Sequence, residues 1–114
     1  MDNQTVSLSA RLGELLLNRR ATVTCAESCT GGGVASAITG IPGSSEWFQL
    51  GLVTYANSAK QQLLGVSPDV LAAEGAVSEA VAVEMARAVL ALADADISVA
   101  VSGVAGPDGG TEAK

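Results

Sequence analysis

The sequence predicts an α/β fold, and three observations carry that expectation. Short β-branched, apolar runs alternate with longer segments of helical periodicity, the pattern of helices covering a largely parallel sheet. Two of the runs end in glycine-rich stretches, as the carboxyl ends of strands in open α/β sheets do. The chain has 114 residues, enough for one layered core and too few for two. The expected architecture is a single domain over residues 1–114, three-layered α/β/α, with a parallel or mixed central sheet.

From about Ser7 to Arg20, Leu8, Leu12, Leu15 and Leu16 recur at helical spacing opposite Arg11, Glu14 and Asn18, which predicts an amphipathic first helix. Residues 21–26 are short and apolar enough for a buried strand. Glycines then open a small-residue helix through Val34, Ala35, Ala37 and Ile38, closed by the turn cluster of residues 40–45. Residues 47–55 read as a second strand holding Trp47, Phe48 and Tyr55. Asn57 or Ser58 caps a short helix that carries Leu63 and Leu64 and stops at Gly65. Ser67 and Pro68 supply the cap and first position of a further helical turn ending near Gly75. Ser78 caps the last long helix, with Val81, Met85, Ala88 and Leu92 as its apolar stripe. Residues 97–101 form a third strand that runs into the glycine-rich stretch 103–110.

Charge narrows the partners. Six basic side chains stand against twelve acidic ones, a net charge of −6, so no basic stripe is available for nucleic acid or an anionic membrane. The longest uncharged stretch, residues 28–45, is broken by glycines and Pro42, and no membrane span is expected. Residues 1–4 lack a basic cluster ahead of an apolar run, so no secretory leader is expected either. Cys25 and Cys29 are too few for a disulfide scaffold or a structural metal site and read as reduced thiols of a cytoplasmic protein. Neither a cofactor nor a metal is expected.

The chain contains no histidine. A Ser-His-Asp triad, a Cys-His dyad and any His-ligated metal are therefore excluded. No P-loop or dinucleotide-binding glycine pattern occurs, and Ser28 lacks the flanking glycines of a nucleophile elbow. Ser28 nevertheless sits where a strand turns into a helix. A serine activated without histidine needs a lysine or tyrosine as proton acceptor, and Tyr55 and Lys60 are the only internal residues of those types. Bringing a lysine into service near neutral pH takes on the order of 4 kcal/mol of differential solvation, which an apolar pocket can supply. The alternative reading is structural: Ser28 as a helix cap, Tyr55 half-buried, Lys60 solvated, and the strand-end glycines as ordinary turns. Cys29 would lack a histidine partner as a nucleophile and reads as a small neutral core residue.

Five spaced blocks carry a resemblance. They are Ala26-Glu27-Ser28-Cys29-Thr30-Gly31-Gly32, Ile41-Pro42-Gly43-Ser44-Ser45, Val53-Thr54-Tyr55-Ala56-Asn57-Ser58-Ala59-Lys60, Gly75-Ala76-Val77-Ser78 and Ser102-Gly103-Val104-Ala105-Gly106-Pro107-Asp108-Gly109-Gly110. In this order, over nearly the whole chain from about Leu8, they resemble the signature blocks of the CinA C-terminal domain family.

The resemblance implies hydrolysis of the carboxamide of nicotinamide mononucleotide to nicotinate mononucleotide and ammonia. It implies Ser28, Lys60 and Tyr55 as the catalytic set, with no cofactor and a small nucleotide as the partner. Ser45 falls on another polar family position at the pocket, and Ser102 and Gly103 match the start of the last motif. Backbone N–H groups around Thr30 and Gly31 are the expected oxyanion donors. The 103–110 loop, Gly106 included, is expected to hold phosphate or ribose. The family pattern continues through a Lys-Pro-Val-Gly motif into further strand and helix, whereas this chain stops at Lys114. The expectation is thus a domain incomplete at its C-terminal end, assembling as a homo-oligomer or pairing with the remaining segment. A non-catalytic nucleotide-binding or regulatory module and a structural half-domain stay open beside the enzyme.

Overall fold

Strand β1 (Val23–Glu27) is buried at every position, because it is the middle strand and helices cover both its faces. The computed structural model describes residues 1–104. Along the chain, β1 is preceded by α1 (Asn3–Arg19) and followed by α2 (Gly33–Thr39), a 3-10 turn (Ser44–Glu46), β2 (Phe48–Val53), α3 (Asn57–Leu64), α4 (Pro68–Glu74), α5 (Glu79–Ala93) and β3 (Ile97–Val101). The strands lie in the order β2-β1-β3, and both pairings are parallel. The α/β expectation holds, and among the described residues the sheet is parallel rather than mixed.

The two cores occupy opposite faces. On one, Leu64, Val66 and Leu71 meet Val81, Met85 and Val89 of α5 over Ala26. On the other, Leu16 of α1 and Ile38 of α2 close over Val23 and Trp47. Each such side chain contributes roughly 1.5–3 kcal/mol by leaving water.

Register decides where a site can form. Glu27 stands opposite Val53 on one side and Val101 on the other, so the three strands end level with one another. The ladders run one step further through Thr54 N–H to the Glu27 carbonyl at 2.8 Å and Ser28 N–H to the Val101 carbonyl at 3.0 Å. Residues 28, 54–55 and 102 therefore gather at one carboxyl edge.

Several local expectations are corrected. The buried face of α1 is Ser9, Gly13 and Leu16, not the Leu8–Leu15 side; Leu8 is 62% exposed. Trp47 is the reason. Its ring lies so close to Gly13 that a Cβ there would stand 2.5 Å from Cζ2, and the helix turns its small residues inward to admit it. In α5 the buried row is Val81, Met85 and Val89, while Leu92 is 55% exposed. Ala56, with extended backbone and no side-chain bond, precedes α3 in place of the expected Asn57 or Ser58 cap. Trp47 ends the 3-10 turn rather than starting β2. The caps at Ser67 and Ser78 are as expected, accepting from the N–H of Val70 and Val81. No helix among the described residues is long and apolar enough to cross a membrane.

Candidate active site

At the carboxyl edge of the sheet, a cavity of about 270 Å³ is lined by Ser28, Cys29, Tyr55, Asn57, Lys60, Ala76, Val77, Ser102, Gly103 and Val104. Ser28 follows β1 directly. Lys60 reaches it from the first turns of α3, and its side chain is almost entirely enclosed, at 1% exposure. Its Nζ lies 3.0 Å from Ser28 Oγ and 2.9 Å from the Tyr55 carbonyl. As an ammonium, Lys60 donates to both oxygens. As a neutral amine, it retains the contact to Tyr55 and can accept the Ser28 proton.

Burial drives Lys60 toward the neutral form, pushing its pKa below the usual lysine value, while nearby Cys29 acts in the opposite direction. The shift is the kind that a lysine base requires, and desolvation supplies it. Cys29 is half-buried and faces the cavity rather than the core.

Glu27, the residue before Ser28, is fully buried. Its carboxylate accepts from the Thr30 hydroxyl at 2.6 Å, the Val34 N–H at 2.8 Å and the Ala35 N–H at 2.9 Å. Burial alone would raise its pKa, but the hydrogen bonds from Thr30, Ala35, Val34 and Gly32 outweigh it and hold the group below 4.5. Sequence reading missed this residue. The available signal was α2 itself, which begins after Gly32 with no side-chain cap and so needs an acceptor from elsewhere.

The expected site residues divide clearly. Ser28, Tyr55, Lys60, Ser102 and Gly103 line the one cavity. Tyr55 gives Lys60 its main-chain carbonyl, whereas its side chain is 69% exposed. The Ser102 hydroxyl donates to the Ala76 carbonyl at 2.7 Å, tying the 75–78 segment to the end of β3. Thr30 spends its hydroxyl on Glu27 and lines a separate apolar cavity bounded by α1, α2 and strands β1 and β3. The Gly31 N–H donates to the Ser28 carbonyl at 3.0 Å, so it closes the turn instead of pointing a free donor at a substrate. Ser45 is not brought to the site. It is exposed in the 3-10 turn ahead of β2, at the amino edge of the sheet, ~16 Å along the strand from the cavity. Gly106 lies outside the described residues. Asn57, read only as a cap, lines the cavity.

The sequence profile of the CinA C-terminal domain matches residues 5–114. The chain belongs to the CinA C-terminal domain family. Among its relatives, nicotinamide-nucleotide amidohydrolase PncC of Escherichia coli K12 is 57% identical over 113 residues, covering 99% of this chain and 68% of that protein. A CinA-like protein of Chlorobaculum tepidum is 56% identical over 109 residues, covering 96% of this chain and 26% of that protein. The crystal structure of competence damage-inducible protein A from Klebsiella pneumoniae superposes with a TM-score of 0.90 at 44% identity, over 93% of this chain and 66% of that one. The CihA structure from Agrobacterium tumefaciens gives a TM-score of 0.90 at 40% identity, over 100% and 69%. The chain thus spans about two-thirds of the length of the Escherichia coli relative and of the two solved structures, and about a quarter of the Chlorobaculum tepidum protein.

Proposed function

We propose that this chain carries the amide-hydrolysing site of a nicotinamide-nucleotide amidohydrolase, acting on nicotinamide mononucleotide. The observation that carries the reading is the 3.0 Å contact between a buried lysine and the serine at the end of β1. The relatives named PncC support the substrate.

Neutral Lys60 takes the Ser28 proton as Oγ attacks the carboxamide carbon. The carbon–nitrogen bond then breaks, Lys60 returns the proton to the leaving nitrogen, and ammonia departs. Water attacks the resulting ester, giving a proton to Lys60 that passes to Ser28 as nicotinate mononucleotide is released. Tyr55 assists at the cavity mouth. With the Gly31 N–H held by the Ser28 carbonyl, the N–H groups of Cys29 and Thr30 serve the oxyanion.

No cofactor takes part. The cavity-lining backbone of Gly103 holds ribose or phosphate. Residues 1–114 act as one domain, either as a homo-oligomer or paired with the family's C-terminal segment. Free Cys25 and Cys29 support a reducing, cytoplasmic setting. The test is ammonia release from nicotinamide mononucleotide by the purified chain, lost in Ser28→Ala. Calorimetric binding of the nucleotide without any turnover would replace the enzyme reading with a nucleotide-binding module.

A further inference from the structure

A buried carboxylate directly before the nucleophile is unusual in its placement. An ionised acid is kept in a protein interior only where charge-assisted hydrogen bonds hold it, and Glu27 has such bonds on both oxygens. The Val34 and Ala35 N–H groups it accepts belong to the first turn of α2. A serine or threonine at the cap position would ordinarily satisfy groups of this kind. Here Gly32, at φ +105°, holds that position without a side chain. The acceptor comes instead from the last residue of β1, across the Ser28 turn.

That choice joins the strand end to the helix start around residues 28–32. The Thr30 hydroxyl fastens the middle of the turn to Glu27 Oε1. The Ser28 N–H is fixed on Val101, and the Gly31 N–H on the Ser28 carbonyl. Ser28 is therefore held from its own backbone, from β3 and from Glu27, with its hydroxyl left to face Lys60. A displacement of about 1 Å at such a nucleophile costs on the order of 10²-fold in rate.

We infer that Glu27 is a positioning residue: its bonds to Thr30, Val34 and Ala35 hold the turn that keeps Ser28 Oγ on Lys60 Nζ, and those bonds, rather than its charge acting on Lys60, set the reactivity of the serine. The inference rests on the reading of Ser28 as the nucleophile. Two other roles are distinguishable. A residue that only stabilises the fold would leave the reactivity of folded molecules unchanged. A residue acting through charge would move the pH at which Lys60 becomes neutral.

The test is the rate at which a fluorophosphonate probe labels Ser28 in the intact chain, measured against pH. In this reaction the serine oxygen bonds to phosphorus, fluoride leaves, and the serine proton passes to Lys60. Glu27→Gln keeps the size and loses an acceptor; Glu27→Asp keeps the charge and loses the reach. Both are expected to label at least ~10-fold more slowly per folded molecule, with the midpoint of the pH profile unmoved. Thr30→Val, at an exposed position, removes one bond of the set and is expected to slow labelling several-fold. It decides the matter if the Glu27 variants do not fold.

Wild-type labelling in Glu27→Asp, a shifted midpoint with an unchanged plateau in Glu27→Gln, or unchanged rates throughout would overturn the inference. Absence of labelling in the wild type would overturn both it and the nucleophile reading. Labelling that depends on Glu27 without ammonia release from nicotinamide mononucleotide would uphold the positioning role and remove only the substrate assignment.

Discussion

Lys60 Nζ and Ser28 Oγ meet at 3.0 Å, inside the fold rather than on its surface. The pair spans two elements, the end of β1 and the start of α3, and the parallel register of β1 and β2 brings those elements together. Groups that share one proton in a transition state fail together when either is removed. Ser28→Ala and Lys60→Met are each expected to lower the rate of ammonia release by at least ~10³-fold. The double variant is expected to be no worse than the more damaged single one. Multiplying losses in the double variant, measured by a coupled ammonia assay, would show that the residues act independently.

Lys60 also makes stability depend on pH. Its folded pKa lies below the ordinary 10.5, so between those two values the unfolded chain binds a proton that the folded chain does not. The unfolding free energy therefore rises with pH through that window, and the cost of burying the ammonium is fully present below it. On the proposed mechanism the rate of hydrolysis is expected to rise in the same direction, as neutral amine accumulates. Urea midpoints in a Cys25→Ala background are expected to climb toward pH 10.5 and to flatten when Lys60→Met is added. A climb that persists in the second variant would place its origin elsewhere.

Cys25 has the opposite sign. Burial, with the Glu27 charge beside it, raises this thiol from an ordinary 9.0 to about 11. Between those values the folded state keeps a proton that the unfolded state has lost, so stability falls as pH rises. The loss is about 2 kcal/mol across the window. Between pH 9 and 11 the urea midpoint of the wild type is expected to fall steadily relative to that of Cys25→Ala, which keeps only the rise from Lys60. Equal slopes in the two proteins would refute the assignment.

The serine and lysine were legible because the sequence offers so few alternatives: with no histidine, one internal lysine and one tyrosine, elimination reaches Lys60 and Tyr55 before any coordinates do. The strands were legible for a similar local reason, since β-branched runs bounded by glycines carry their own signal. Glu27 was not legible. A carboxylate ahead of glycines has no periodicity, and its partners, Val34 and Ala35, are backbone groups that any residue would supply. Ser45 was misplaced because a motif tells which residues are shared and not which edge of a parallel sheet they occupy. In α1 and α5, periodicity gave the helices but not the rotation about their axes, which the packing around Trp47 and Met85 decides.

Gly13 and Trp47 provide the sharpest test of that packing. Replacing an interior helical glycine by alanine ordinarily stabilises a protein by roughly 0.5–1 kcal/mol, because the unfolded chain loses freedom. At Gly13, however, the new methyl would stand 2.5 Å from Trp47 Cζ2 and 2.9 Å from Cε2. Trp47 is buried in the core formed by Leu16, Val23 and Ile38, and a ring held on several sides cannot swing away without opening space elsewhere. Overpacking of this kind costs about 1–3 kcal/mol, which exceeds the entropic gain. Gly13→Ala is therefore expected to destabilise the chain, with a lower urea midpoint and a changed Trp47 fluorescence maximum. Pairing it with Trp47→Phe, which removes the indole's second ring, should recover part of the loss. A stabilised Gly13→Ala would mean that α1 and Trp47 do not pack as described.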